Sequence, residues 1–366
     1  MPSPSRQTWT KFHDRLKAAG AERQAREPAL AALEDVSEAI VYSFGARGRD
    51  LAVQLRARGM RCRIFDNSEA SRRRAIAEGF DLAESPNDER LPLLIGAGQN
   101  QIEIMSDITR PAYFLAEALY GLDLNNQYDR ARSFTQIVLQ HTPALFAIYE
   151  RLDPQTAEVF LQVLEYRASL QPGKVAARLP VGDMWRPPIS GLSVTSFCDI
   201  GAYDGDSLRA IKALFPELRR SFTLEPNPDL EPAIEASATR LGVRNTHYVG
   251  AAWDRDTRLD ARESANGMLV IEEDSHGSVA ARPLDALLGD ETFDFIKMDV
   301  EGSEARVMDG GRKALRAARC VAVAAYHLPD DLISLTARMD TIRPDWNIAF
   351  AHYSQSFDDS IFYFWR

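Results

Sequence analysis

Between residues 293 and 305 the chain reads FDFIKMDVEGSEA. Phe293, Phe295, Ile296, Met298 and Val300 have the character of a buried strand, yet Lys297, Asp299 and Glu301 interrupt them and Gly302 stops the run. An unpaired charge inside a strand costs several kcal/mol, so these three are either solvated at the strand end or kept there for chemistry. Two carboxylates in such a place can accept a proton from a hydroxyl or hold a hard divalent cation through oxygen, although the evident ligands are too few to assign a metal. A lysine beside them is expected to partner one of the carboxylates, with direct contact to the acceptor as the alternative.

A second group of residues supplies a place for a ligand. In FCDIGAYDGDSL (197–208), Asp199 closes an apolar strand pattern and Gly201 and Gly205 bracket a tight turn. Asp206 or Ser207 is suited to cap the helix that follows. Glycines let backbone approach a ligand closely, and open α/β sheets bind in the crevice beyond their strand ends. The GxGxxG of a pyrophosphate site is missing; Asp199, Asp204 and Asp206 crowd the turn with negative charge and suit a cationic or hydroxyl-rich ligand. Glu225, in SFTLEPNP, follows Gly205 by 20 residues and ends the next strand, where a carboxylate can take both hydroxyls of a ribose. Alone, the turn reads as an ordinary strand–helix connection and Glu225 as a solvated residue before Pro226. Together they form the pattern of an S-adenosylmethionine site.

Residues 194–330 resemble the FkbM family of S-adenosylmethionine-dependent methyltransferases. The resemblance is carried, in order, by DIGAYDGDSL, LEPNP, VGAAWD, FIKMDVEGSEARVMDGG and VAVAAYH, and most distinctively by Lys297, Asp299, Glu301, Gly302 and Glu304 in K-x-D-x-E-G-x-E. It implies methyl transfer to an oxygen, often of a sugar or polyketide hydroxyl. It also implies that Asp199, Gly201, Ala202, Asp204 and Gly205 line the methionine portion, that Glu225 takes the ribose, and that Asn227, Ala252 and Trp253 lie near the adenine. Methyl transfer is an in-line displacement served by alignment and exclusion of water, and a hydroxyl acceptor must also shed a proton. Asp299 and Glu301 are expected to face the crevice and orient or deprotonate the acceptor, with Lys297 organising them. His327, ending the next strand in AAYH, is a candidate base, or else a cap for the helix starting near Pro329. Glu304 reads as a first-turn acid favoured by the helix dipole. Many members carry an acid ahead of that histidine; Ala325 and Tyr326 stand there instead, which leaves its orientation open.

Strands that bring these residues together are predicted at TSFCDI, SFTLEP, THYVGAAW, DFIKMD, RCVAVAAYH, NIAFAHY and SIFYFWR, with helices over 206–215, 228–241, 303–318 and 329–340. The expected architecture is α/β. Residues 191–366 form a Rossmann-like class I methyltransferase domain whose mostly parallel seven-stranded sheet ends in an antiparallel hairpin. Residues 111–190 form a helical bridge and linker, its aromatics at core spacing. "MWRPPI" at its end puts Trp185 or Arg186 within reach of the acceptor cleft. Residues 1–110 combine N-terminal helices, one of them with Pro28 in its first turn, and a smaller Rossmann-like unit. In that unit VYSFGARGRDLA offers Gly45 and Gly48, but Ser43 replaces the first glycine of a dinucleotide fingerprint, and Asp66 follows Gly48 by 18 residues.

At 366 residues with 45% hydrophobic content, the chain can bury two cores. A net charge of −10 argues against a nucleic-acid backbone binder and against a polybasic membrane anchor. No apolar run approaches the ~20 residues that span a bilayer, and the N-terminus lacks a signal-peptide apolar region; a cytoplasmic protein is expected. Cys62, Cys198 and Cys320 each sit in an apolar run and read as buried free thiols. The expected partner is a small-molecule or glycan acceptor, with homo-oligomerisation open. Two other readings stand beside this one. In one, the N-terminal unit binds NAD or a nucleotide-sugar instead of serving docking, dimerisation or acceptor recognition; in the other, the whole chain is an adaptor that has lost turnover.

Overall fold

The N-terminal residues form one long helix rather than two. In the computed structural model, α1 (Arg6–Ala31) runs through Pro28, which sits near its end rather than in a first turn; a missing N–H there removes a single bond of the ladder. Phe12, Leu16, Ala19 and Leu30 bury one side of α1. The structure describes residues 6–366 except 89, 126–129, 177, 179–183, 264–268 and 275. The chain divides into two units: Met1–Ala147 with Glu158–Arg178 and Ser354–Asp358, and Ile148–Ala157 with Leu179–Tyr353 and Asp359–Arg366.

The first unit holds β1 (Glu38–Tyr42), α2 (Ala46–Ala57), β2 (Arg61–Phe65), α3 (Glu69–Ala77), β3 (Asp81–Leu82), β4 (Leu93–Ile95), α4 (Gln101–Ser106), β5 (Ala112–Tyr113) and α5 (Leu115–Gly121). The strands pair in parallel in the order β3-β2-β1-β4-β5, with Ile40, Leu93, Ile95, Ala97 and Ala112 forming a core on the sheet. This is the small Rossmann-like unit expected from the alternating pattern. Three helices follow: α6 (Ala131–Gln140), α7 (Thr142–Tyr149) and α8 (Pro154–Ser169). Asp153 accepts from the Gln155 amide at 2.9 Å where α8 begins, and Phe134, Phe146, Phe160 and Tyr166 are buried.

In the second unit the elements run β6 (Ser196–Ile200), α9 (Asp206–Leu214), β7 (Arg220–Glu225), α10 (Glu231–Leu241), β8 (Arg244–Val249) and β9 (Ala251–Trp253). Next come β10 (Thr257–Glu263), β11 (Leu269–Glu273), β12 (Val279–Pro283), α11 (Leu284–Leu288), β13 (Phe295–Met298), α12 (Glu304–Gly310) and α13 (Arg312–Ala317). β14 (Cys320–Ala324), α14 (Asp331–Ile342), β15 (Asn347–His352) and β16 (Ser360–Trp365) close the chain. The seven-stranded sheet has the order β15-β16-β14-β13-β6-β7-β8. It is parallel except for β16, which runs antiparallel to both β14 and β15; the mostly parallel seven-stranded sheet and its terminal hairpin are as the sequence implied. Central β6, β13 and β14 are buried along their length, as parallel strands covered on both faces must be.

Two features depart from expectation. THYVGAAW is two strands, because Gly250 adopts φ +156°; β9 leaves the large sheet and joins a four-stranded one in the order β11-β10-β12-β9, around Leu259, Val279, Ala281 and Trp253. The helix expected over 303–318 is broken at Gly311 into α12 and α13. The three cysteines are buried and free, and burial pushes the Cys62 thiol up to about 12.

Candidate active site

The loop from β6 to α9 is shaped by two left-handed glycines. Gly201 and Gly205 both lie at φ +82°, and a Cβ on Gly201 would sit 1.9 Å from the Asp299 carbonyl oxygen. Only glycine therefore lets this loop pass against the end of β13. Gly201 and Ala202 amides both donate to the Leu224 carbonyl, at 3.0 and 2.9 Å, which ties the turn to β7. Gly205, rather than Asp206 or Ser207, is the cap of α9, and no side chain caps it. Asp204 pairs with Arg209 at 2.9 Å.

Glu225 ends β7 as expected and is nearly buried, at 6% exposure. Its two oxygens accept from the backbone amides of Tyr203 (2.9 Å) and Asn227 (3.0 Å). Burial raises its pKa, and the two amides oppose that rise. Asn227 caps the turn over Pro228–Leu230 by accepting from the Asp229 amide at 3.0 Å. Tyr203, which the sequence pattern did not single out, projects from the same turn with 63% exposure and φ +46°. A bulky residue in that conformation is a local strain, and its side chain is largely open to solvent.

Lys297 does not partner Asp299 or Glu301. Parallel register sets it beside Asp199, with which it forms a buried ion pair at 3.1 Å, and it donates to the Gly201 carbonyl. The indole of Trp185 covers its ammonium at 5.0 Å, a cation–π contact that replaces part of the lost hydration. Trp185 is buried and holds φ +69°. Burial pushes Asp199 up to about 7 against the pull of Lys297. Burial also works against the lysine's charge, but Asp199, Asp299 and Asp206 outweigh it and hold its pKa above the ordinary value.

Beyond the end of β13, Glu301 (φ +57°) and Gly302 (φ +95°) turn the chain back into α12. This leaves the Asp299 and Glu301 side chains partly exposed, at 23% and 29%. Behind them lies His327, 4% exposed. Its Nδ1 is 2.9 Å from Glu304 Oε1, and its Nε2 lies 3.5 Å from Asp299 Oδ1 and 3.6 Å from Glu301 Oε2. Burial works to discharge the imidazole, but Glu304 above all, then Asp299 and Glu301, lift its pKa to about 10. The ring is thus an imidazolium at neutral pH. Glu304, read from sequence as a first-turn acid favoured by the helix dipole, is buried and also accepts from the Val300 amide at 3.0 Å. The Tyr326 ring lies tilted against that of His327, with centroids 4.2 Å apart, and its hydroxyl donates to Asp299 at 3.3 Å. Asp331 accepts from the Leu328 amide at 2.7 Å and is pushed by burial to about 7.

Donor atoms of Asp299, Glu304 and His327 lie within 4.8 Å of one another, a spacing compatible with a cation that displaces the imidazolium proton. Ala252 and Trp253 belong to the smaller sheet. Trp253 is buried under the Arg306 guanidinium, 5.7 Å from its ring, and its carbonyl packs so closely on Gly310 that a Cβ there would come within 1.8 Å.

Residues 199–345 match the family model described as Methyltransferase FkbM domain. Among solved structures, a methyltransferase FkbM from Methylobacillus flagellatus KT superposes with a TM-score of 0.71 at 20% identity, covering 98% of this chain and 100% of that one. An O-methyltransferase from Streptomyces achromogenes, TomG, solved with SAM, aligns over 47% of this chain and 74% of its own at 14% identity, with a TM-score of 0.31. No curated protein matches the chain. No helix among the described residues is long and apolar enough to cross a membrane.

Proposed function

We propose, from the match of residues 199–345 to the FkbM methyltransferase domain model, that the chain transfers a methyl group from S-adenosylmethionine to a hydroxyl oxygen of a carbohydrate or similar polyhydroxylated acceptor. The observation that carries the reading is the pair of partly exposed carboxylates, Asp299 and Glu301, braced from behind by the buried His327 imidazolium. They stand next to a glycine turn that only a Cβ-free residue can form.

The residues present fit the cofactor. The Gly201–Gly205 turn leaves backbone accessible, Glu225 is fixed at a strand end by two amides, and the acidic surroundings favour a sulfonium cation. When bound, S-adenosylmethionine supplies an electrophilic methyl on that cation. Asp199, Gly201, Ala202, Asp204 and Gly205 would hold the methionine portion and Glu225 the ribose. Tyr203, Asn227, Ala252 and Trp253 would serve the adenine side. Asp299 would accept the acceptor's hydroxyl proton during the transfer, and Glu301 would orient the sugar. His327 stays protonated and aligns both carboxylates, a positioning role in place of the general base the sequence allowed. Lys297 holds Asp199 and Gly201 in place under Trp185.

Calorimetric titration with S-adenosylmethionine tests the reading; absence of binding at millimolar ligand overturns it. With binding in hand, a panel of glycosides and polyols assayed for S-adenosylhomocysteine release identifies the acceptor class. Transfer to nitrogen or carbon nucleophiles alone would refute the hydroxyl assignment.

A further inference from the structure

The sheet order of the first unit creates a second strand-end crevice, between β1 and β4, whose connections leave in opposite directions. Open α/β sheets take ligands at such a point, so what fills it decides whether this unit binds a nucleotide. Ser43 there adopts φ +81°, and Gly48 packs so tightly under it that a Cβ would come within 2.0 Å of the Ser43 carbonyl. Arg47, in the first turn of α2, reaches across to Gly98 in the loop after β4.

The guanidinium of Arg47 is engaged by the chain's own residues. It donates to Ser356 Oγ at 2.9 Å and forms an ion pair with Asp358. Ser354 Oγ and Ser356 Oγ donate to the other oxygen of that carboxylate. The Gln355 carbonyl accepts from Gln101 Nε2 (2.8 Å) and the Tyr166 hydroxyl (3.0 Å), and its side-chain oxygen accepts from the Ile102 amide at 2.9 Å. The ring of Phe357 packs on Phe134 and Tyr166. All five residues, Ser354–Asp358, are buried. Burial works against the Asp358 charge, but Arg47 and the two serines more than offset it and hold its pKa below the ordinary value. Asp66, spaced to meet a ribose, accepts from the Phe44 and Ser68 amides, both at 2.7 Å, as Glu225 does from its own two amides, so the occupant of the crevice and not this carboxylate decides access.

We propose that this crevice is an anion-binding site whose resident ligand is the segment Ser354–Asp358, with the Asp358 carboxylate in the place a phosphate would take. The first unit is then a receptor for the chain's own penultimate loop and closed to dinucleotides. A carboxylate held by one guanidinium and two hydroxyls mimics a phosphate oxygen pair, and it is tethered, so free nucleotide must compete against a very high effective concentration.

The test uses the full-length chain and follows melting temperature with inorganic pyrophosphate and NAD. The native chain is expected to be unresponsive. Asp358→Ala is expected to gain saturable stabilisation by pyrophosphate, lost again in the Arg47→Met/Asp358→Ala double variant. Saturable stabilisation of the native chain by NAD, or a folded Asp358→Ala variant that ignores pyrophosphate, overturns the proposal. Should the variant not fold, hydrogen exchange on the native chain decides: the amides of Ile102 and residues 355–358 must exchange as slowly as those of β1 and β4. Fast exchange at those amides refutes a resident ligand.

Discussion

Replacing Glu304 by Gln removes the charge that keeps His327 protonated while preserving shape and an oxygen for the Val300 amide. Opposite unit charges 2.9 Å apart attract by about 6 kcal/mol at an effective dielectric of 20. A rise of the imidazole from 6.5 to about 10 corresponds to roughly 5 kcal/mol. Desolvation has already consumed part of this, and removing one partner of a buried pair costs about 3–5 kcal/mol. The pH dependence follows from linkage. A histidine whose folded pKa is raised contributes fully below its unfolded value and loses that contribution as pH rises through about 10. Glu304, held below its ordinary value, loses its own contribution only as pH falls through the folded pKa. The native chain should therefore exceed Glu304→Gln most strongly near pH 6, and the gap should narrow towards pH 10 by no more than about 1.4 kcal/mol per pH unit. Urea unfolding of both proteins across that range is the assay. A gap under about 1 kcal/mol at pH 6, or one that stays constant to pH 10, refutes the assignment of a buried imidazolium.

Asp299→Asn should lower turnover by about 10²–10⁴-fold with cofactor affinity unchanged in calorimetry. Glu225→Gln should weaken S-adenosylmethionine by about 1–3 kcal/mol while turnover at saturating cofactor persists. Lys297→Met strands Asp199 without a cation; the expected loss of about 3–5 kcal/mol should deepen as pH rises above neutrality in urea titrations, because the buried carboxyl escapes the penalty only when protonated. Gly201→Ala combines a strained φ of +82° with a clash against Asp299, and should abolish cofactor binding and lower the unfolding free energy by more than about 1 kcal/mol.

The large sheet was legible because its central strands are apolar runs bounded by glycine and proline, a signal that survives without tertiary information. The smaller sheet was not. Its strands lie in a charge-rich stretch, and AAW ran on from β8 until Gly250 turned the chain away. Asp299 and Glu301 could be placed just past the end of β13 from the strand pattern alone. The partner of Lys297 could not, since it is set by register between β6 and β13, nearly a hundred residues apart in sequence. Nothing local distinguishes Glu304, an acid in a helix first turn, from the surface acids it resembles; its buried partner His327 comes from the loop after β14. The run SQSFD is mostly polar, and its burial depends on Arg47 and Gln101, which no periodicity connects to it.

That last loop has a consequence for the order in which the protein comes into being. The hydrogen bond from Gln101 to Gln355 closes a span of 254 residues, so the first unit emerges from the ribosome long before its final segment exists. Throughout synthesis of the second unit, Arg47 and Gln101 face a crevice without its occupant, and long-range closures of this kind form late. The unit translated first is completed last. Folding of this chain is therefore a round trip that ends where it began, and truncation a few residues short of residue 358 strikes the N-terminal unit rather than the C-terminal edge alone.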